Sequence, residues 1–303
     1  MKGLAHFVMR GYSQAALVAS VSALLSILMP LLGLISSATV GLVTLRKGAR
    51  PGVLLMLSST LAAGLFAFLG LGSPWPALGM LLIFWLPVWL LSVVLRFGRS
   101  LDFTVQLAGI GGLMLVLGMH LLVGDPTAYW QTLLEPVRQS LVKDGLIEAG
   151  SSQTLFAEMG RWMTGAFAAG LVLQTLVGLF LARWWQAVLF NPGGFGIEFR
   201  ALGVGRVAGA AFLALLAWVL IGHGSGIAAG LLPVLGALLL LQGLAVAHGV
   251  RQLYGAPRGW LVGLYVLMVL FMPQMGLLVA CLGLVDVGLD IRGRVARRAS
   301  KSG

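Results

Sequence analysis

The sequence predicts an all-α, polytopic transmembrane helical bundle of about nine to ten membrane segments, with broken or short hairpins near both ends. Three observations predict it. Hydrophobic residues make up 59% and charged residues 10% of the 303 positions, against roughly a quarter charged in soluble domains. The mean hydropathy of +1.00 comes from apolar runs of about 20 residues that recur from end to end, so it is not the work of one anchor. Third, the basic residues behind the net charge of +11 fall between those runs and form no stripe or aromatic-interleaved patch, which excludes nucleic acid as the expected partner. The expected partner of the bulk surface is the lipid bilayer.

The runs lie at 10–29, 31–45, 51–71, 76–95, 103–123, 161–189, 201–222, 226–250 and 259–289, each bounded by Pro, Gly or charge. The opening MKGLAHFVMRGYSQAALVAS has the basic flank of a signal sequence, but a second apolar run follows at once, so it reads as an uncleaved first span. Pro30 divides the first two runs because proline has no N–H to continue the helical ladder. Residues 124–160 form the one sizeable polar excursion from the single membrane domain 1–303. There Leu134, Val137, Leu141 and Val142 recur at helical spacing opposite Arg138, Gln139 and Lys143, which predicts an amphipathic helix on the outer membrane surface or capping the bundle. Ser151 or Ser152 is the expected N-cap of a helix running on into 161–189.

Charge sets the orientation. With the N-terminus inside, all the basic residues except Arg138, Lys143 and Arg161 fall in cytoplasmic loops, Lys301 of the tail included, as the positive-inside rule requires. If every run crossed once, however, the tail RGRVARRASKSG would end outside. The run 259–289 is about 46 Å long as a helix, against a hydrocarbon core of about 30 Å. A hairpin broken around Met272, Pro273 and Gln274 would return the tail to the cytoplasm; the short arms leave re-entrant geometry and a single crossing as alternatives.

Candidate sites are sparse. Small residues at four-residue spacing allow close helix approach in lipid: Gly11, Ala15, Ala19 and Ala23 on the first span, Ala201, Gly205 and Gly209 further on, and Gly222, Gly226 and Gly230 near the penultimate run. Internal packing is the ordinary role of such seams, and docking of another membrane subunit is the alternative for the first. The segment WWQAVLFNPGGFGIEFR combines the breakers Asn191, Pro192, Gly193 and Gly194 with Glu198 and Arg200, the makings of a cytoplasmic interfacial elbow, with Trp184 and Trp185 in the aromatic belt. Gln242, His248, Asp286, Asp290 and Arg292 are the polar groups that could face a cavity or an interface. The spacing of Gln242 and His248 puts them on different helix faces, and the aspartates lie near Arg292 and Arg294. His120 and His223 share the outer ends of spans. The four histidines and lone Cys281 give no metal-ligand spacing, and no nucleophile elbow, Cys/His pair or facing carboxylates are present. Neither a catalytic site, a metal site nor a cofactor is expected.

The stretches VGLVTLRKGARPG, FNPGGFGIEFRALGVGR, QGLAVAH and GLVDVGLDIRGR resemble the YybS-like family of bacterial membrane proteins, which is distantly similar in architecture to the substrate-binding membrane subunits of energy-coupling-factor transporters. The resemblance implies a cytoplasmic (inner) membrane location, an outward-facing pocket for a small-molecule substrate, and a first span that docks a coupling module. The other function expected of such a bundle is a scaffold or assembly partner in a cell-envelope complex.

Overall fold

The computed structural model describes residues 1–223 and 226–299, and within them every regular element is a helix. In order they are α1 (Lys2–Arg10), α2 (Tyr12–Leu25), α3 (Leu32–Lys47), α4 (Ala49–Leu71), α5 (Trp75–Met80), α6 (Leu86–Gly98), α7 (Leu101–Val123), α8 (Pro126–Lys143), α9 (Ala149–Phe190), α10 (Gly194–Ala201), α11 (Arg206–Trp218), α12 (Ile227–Leu253), α13 (Gly259–Leu270), α14 (Met272–Leu289) and α15 (Ile291–Ala299). A π-turn at Leu81–Trp85 joins α5 to α6, and another at Val219–His223 extends α11. Six helical stretches are long and apolar enough to cross a membrane, and a seventh arises if α10 and α11, bent by 46°, count as one broken span. By length and composition these helices make the chain membrane-embedded.

Contacts gather the chain into two compact units, residues 1–108 with 173–202, and residues 109–172 with 203–303. In the first, α3 is the central helix: every residue from Ser36 to Leu45 is buried. Its small side chains permit this, because Gly41 lies against Ala182, Val88 and Ser92, and Gly178 of α9 lies against Ser37. The hydroxyls of Ser36, Ser37, Thr39 and Thr44 on α3 all donate to carbonyls. Trp85, fully buried in the π-turn, donates to Ser36 Oγ at 2.7 Å, and Ser36 donates to the Ala19 carbonyl at 2.6 Å. Pro87 has no N–H to give back to the preceding turn, and carbonyls there find side-chain donors instead: Ser37 Oγ on Phe84 O at 3.1 Å and Gln174 Nε2 on Ile83 O at 3.3 Å.

In the second unit α12 is the central helix, buried along most of its length from Ala228 to Gly249. Glycine sets its approach to its neighbours. A Cβ at Gly243 would overlap the Val279 carbonyl oxygen of α14, and one at Gly283 would overlap the Leu239 carbonyl. Gly230 meets Val116 of α7, and Gly165 of α9 meets the Gly230 backbone. The 124–160 excursion contains α8, begun by Pro126 and capped by Asp125, whose Oδ1 accepts from Thr127 N at 2.9 Å and Ala128 N at 3.2 Å. Trp130 of α8 donates to Thr164 Oγ1 of α9 at 2.8 Å and packs on Phe167.

Several local expectations need correction. The helix after the excursion does run unbroken to Phe190, but it starts at Ala149. Ser151 and Ser152 are therefore inside its first turn, where their hydroxyls bond back to the carbonyls of Glu148 and Ala149. The run 259–289 breaks at Phe271, and Pro273 sits in the first turn of α14 where a missing N–H costs nothing. Trp185 is buried, not interfacial, whereas Trp184 is exposed. Lys301 lies outside the described residues.

Candidate functional site

Three of the candidate polar residues converge in the second unit. Gln242 of α12 accepts from the buried Val204 N–H through Oε1 at 2.9 Å and donates from Nε2 to Asp286 Oδ2 of α14 at 2.9 Å. Arg292 completes the cluster, donating to the same oxygen from Nη2 at 2.8 Å and Nε at 3.2 Å, while its backbone N–H reaches Asp286 Oδ1 at 3.3 Å. Asp290 makes this possible. Its left-handed φ of 47° ends α14 and turns the chain back, and its Oδ1 caps α15 by accepting from Gly293 N at 3.0 Å. Asp290 pairs loosely with Arg297 at 3.5 Å, so the expected pairing of aspartate with Arg292 holds for Asp286 alone.

Asp286 and Gln242 are both buried. A carboxylate in that position is tolerable because a guanidinium neutralises it and four donors surround it. So bonded, the cluster is a clasp joining Val204, α12 and the α14–α15 turn. His248 is on another face of α12, its Nε2 2.8 Å from Tyr265 Oη of α13.

The elbow belongs to the first unit. Asn191 and Pro192 end α9, and Gly193 adopts a φ of 88°, open to glycine and strained for other residues. The chain then reverses into α10, where Phe195 and Phe199 stack on Phe180 of α9 at ring separations of 5.9 and 5.6 Å. Gly194 sits beside the Asn191 amide, and Arg200 lies half-buried near the end of α10. Glu198 forms a two-point ion pair with Arg183 of α9. A recess of about 560 Å³ opens beside this pair, lined by Leu45, Leu95, Arg96, Phe97, Arg99, Arg183, Gln186 and Glu198. Arg96 holds its wall together, donating from Nη1 to the Leu45 carbonyl at 2.5 Å.

The first-span seam lies inside the same unit. Gly11 is the extended residue between α1 and α2, and Ala15, Ala19 and Ala23 are buried, α2 packing on α3 and α4. Those three positions present no free face to a partner helix. The other two seams are not continuous faces: Gly205, Gly222 and Gly226 all have positive φ, so each breaks the helix that four-residue spacing presupposes. Gly209 alone of its set makes a close helix contact, against Val287 and Leu284 of α14.

A site that the sequence did not assemble lies in the second unit, a cavity of about 520 Å³ lined by His120, Leu215, Trp218, Gly226, Ile227, Ala228 and Leu231. His120 Nδ1 is 2.9 Å from the Val116 carbonyl. A carbonyl only accepts, so Nδ1 carries the proton, and Nε2 is the ring nitrogen left for another partner. Position at a span end was the one sequence signal for His120; the His223 side chain is outside the described residues. Among the described residues no cluster of three or more His, Cys, Asp and Glu could hold a metal ion.

No family model matches the chain, and no curated protein or solved structure is significantly similar to it.

Proposed function

We propose that the protein is a non-enzymatic, multi-pass component of the bacterial inner membrane, YybS-like in kind, that binds a small molecule for transport. The observation that carries this reading is the His120–Trp218 cavity, whose 520 Å³ falls within the roughly 300–1,000 Å³ of small-molecule sites. Its side-chain walls are apolar except for the His120 imidazole and the indole N–H of Trp218. The ligand they suit is largely apolar or aromatic, with one hydrogen-bond donor for His120 Nε2. In this reading both termini are cytoplasmic and the cavity faces outward. The count of about nine to ten segments, ten being the even number that two cytoplasmic ends require, then includes α2, α3 and α13, about 21, 24 and 18 Å long and so short arms against a core of about 30 Å. A coupling module supplies the energy, and it docks elsewhere than on Ala15, Ala19 and Ala23.

Mild extraction followed by mass spectrometry of the released small molecules tests the reading. The wild type should release a compound that is lost from Ala228→Phe, a change that fills the cavity from its wall. No compound from either protein, together with copurification of a cell-envelope complex, would support the scaffold function instead.

A further inference from the structure

The recess beside the elbow has an unbalanced wall. Three guanidiniums, Arg96, Arg99 and Arg183, face one carboxylate, Glu198. Arg183 and Glu198 neutralise each other. Arg96 spends one nitrogen on the Leu45 carbonyl, which satisfies a donor but leaves the charge uncompensated. Arg99 ends α6 in a left-handed conformation, φ 50°, and among the described residues neither it nor the half-buried Gln186 amide has a protein partner. Two uncompensated cations and a free amide thus line one concave site.

We propose that this recess binds a phosphate group. Guanidinium forks match phosphate oxygens two at a time, which favours phosphate over a monoatomic anion, and Gln186 adds a neutral donor. At its edge Phe97, 77% exposed beside the buried Leu45 and Leu95, suits the glycerol and acyl region of an anionic lipid whose headgroup enters the recess; a soluble phosphate compound offers the same headgroup chemistry without a tail. The site is independent of the His120–Trp218 cavity and stands whether or not that cavity binds substrate.

The test uses the full chain in an uncharged detergent at constant ionic strength, following the thermal unfolding midpoint against three probes: phosphatidylglycerol, phosphatidylcholine and inorganic phosphate. Phosphatidylglycerol should raise the midpoint and phosphatidylcholine should not. Arg99→Gln should weaken the apparent affinity about tenfold, the order expected for one charge-assisted bidentate contact, and Gln186→Leu should weaken it in the same direction. Stabilisation by phosphatidylglycerol alone identifies a lipid headgroup site. Stabilisation by inorganic phosphate as well, lost in the same variants, identifies a site that accepts soluble phosphate. If Arg99→Gln lowers the midpoint without any probe, Gln186→Leu decides by itself. No rise with phosphatidylglycerol or inorganic phosphate, an equal rise with phosphatidylcholine, whose ammonium cancels its phosphate charge, or a rise that the deciding variants retain in full, overturns the proposal.

Discussion

Asp286 shows how much one side chain can hold in a low-dielectric interior. Removing it would take from the Gln242 amide and the Arg292 guanidinium the carboxylate they share, and would loosen the Gln242 side chain that accepts from Val204 N–H. Breaking a buried ion pair from one side costs about 3–5 kcal/mol, so Asp286→Ala should lower unfolding stability in detergent by that order. A loss within experimental error in a denaturation series would show that the clasp is incidental. Glu135 on α8 gives a residue-scale prediction of another kind. Hydrogen bonds from Arg138, and next from Gln139, pull its carboxyl down to about 2 from an ordinary 4.5. Because the folded value is the lower one, the contribution to stability is complete above about pH 4.5 and fades as the pH falls toward 2. Arg138→Gln should raise the Glu135 titration toward 4.5, with the Gln139 bond retaining part of the depression, read from its carboxyl carbon shift; an unmoved midpoint would contradict the pairing.

Among the elements, α2 and α3 carry the clearest test of packing. Ala15 and Ala19 are 1% and 0% exposed, so replacing both by leucine should overpack the first unit at about 1–3 kcal/mol per site. Unchanged thermal stability of the double variant would mean that these positions face outward. Such elements were largely legible in the sequence, because hydropathy and the punctuation of Gly, Pro and charge act locally. The long α9, the break before Pro273 and the reversal at Asn191–Gly194 all follow from residues within a few positions. The rest was not local. Gln242 reaches partners 38 and 44 residues away, and one of them is a backbone N–H that no side-chain pattern reveals. Four-residue spacing misled at Gly205, Gly222 and Gly226, where the same absence of a Cβ that allows close packing also allows the positive φ that ends a helix. Trp185 misled too: its neighbour Trp184 is the exposed one of the two, and adjacent residues on one helix cannot face the same way.

For the molecule as a whole, charge divides the chain between two unlike sides of a membrane. All the basic residues but Arg138, Lys143 and Arg161 fall where the charge rule expects the cytoplasm, whereas residues 125–148 carry Asp125, Glu135, Asp144 and Glu148. The single cysteine, Cys281, is exposed and can be removed as Cys281→Ser to give a background for labelling. Leu146, 69% exposed after α8, and Tyr254, 68% exposed after α12, are suitable reporter positions. With a membrane-impermeant maleimide on intact cells, Leu146→Cys should be labelled at once and Tyr254→Cys only after the membrane is opened. Labelling of both positions from the same side would contradict the two-sided topology on which the account rests.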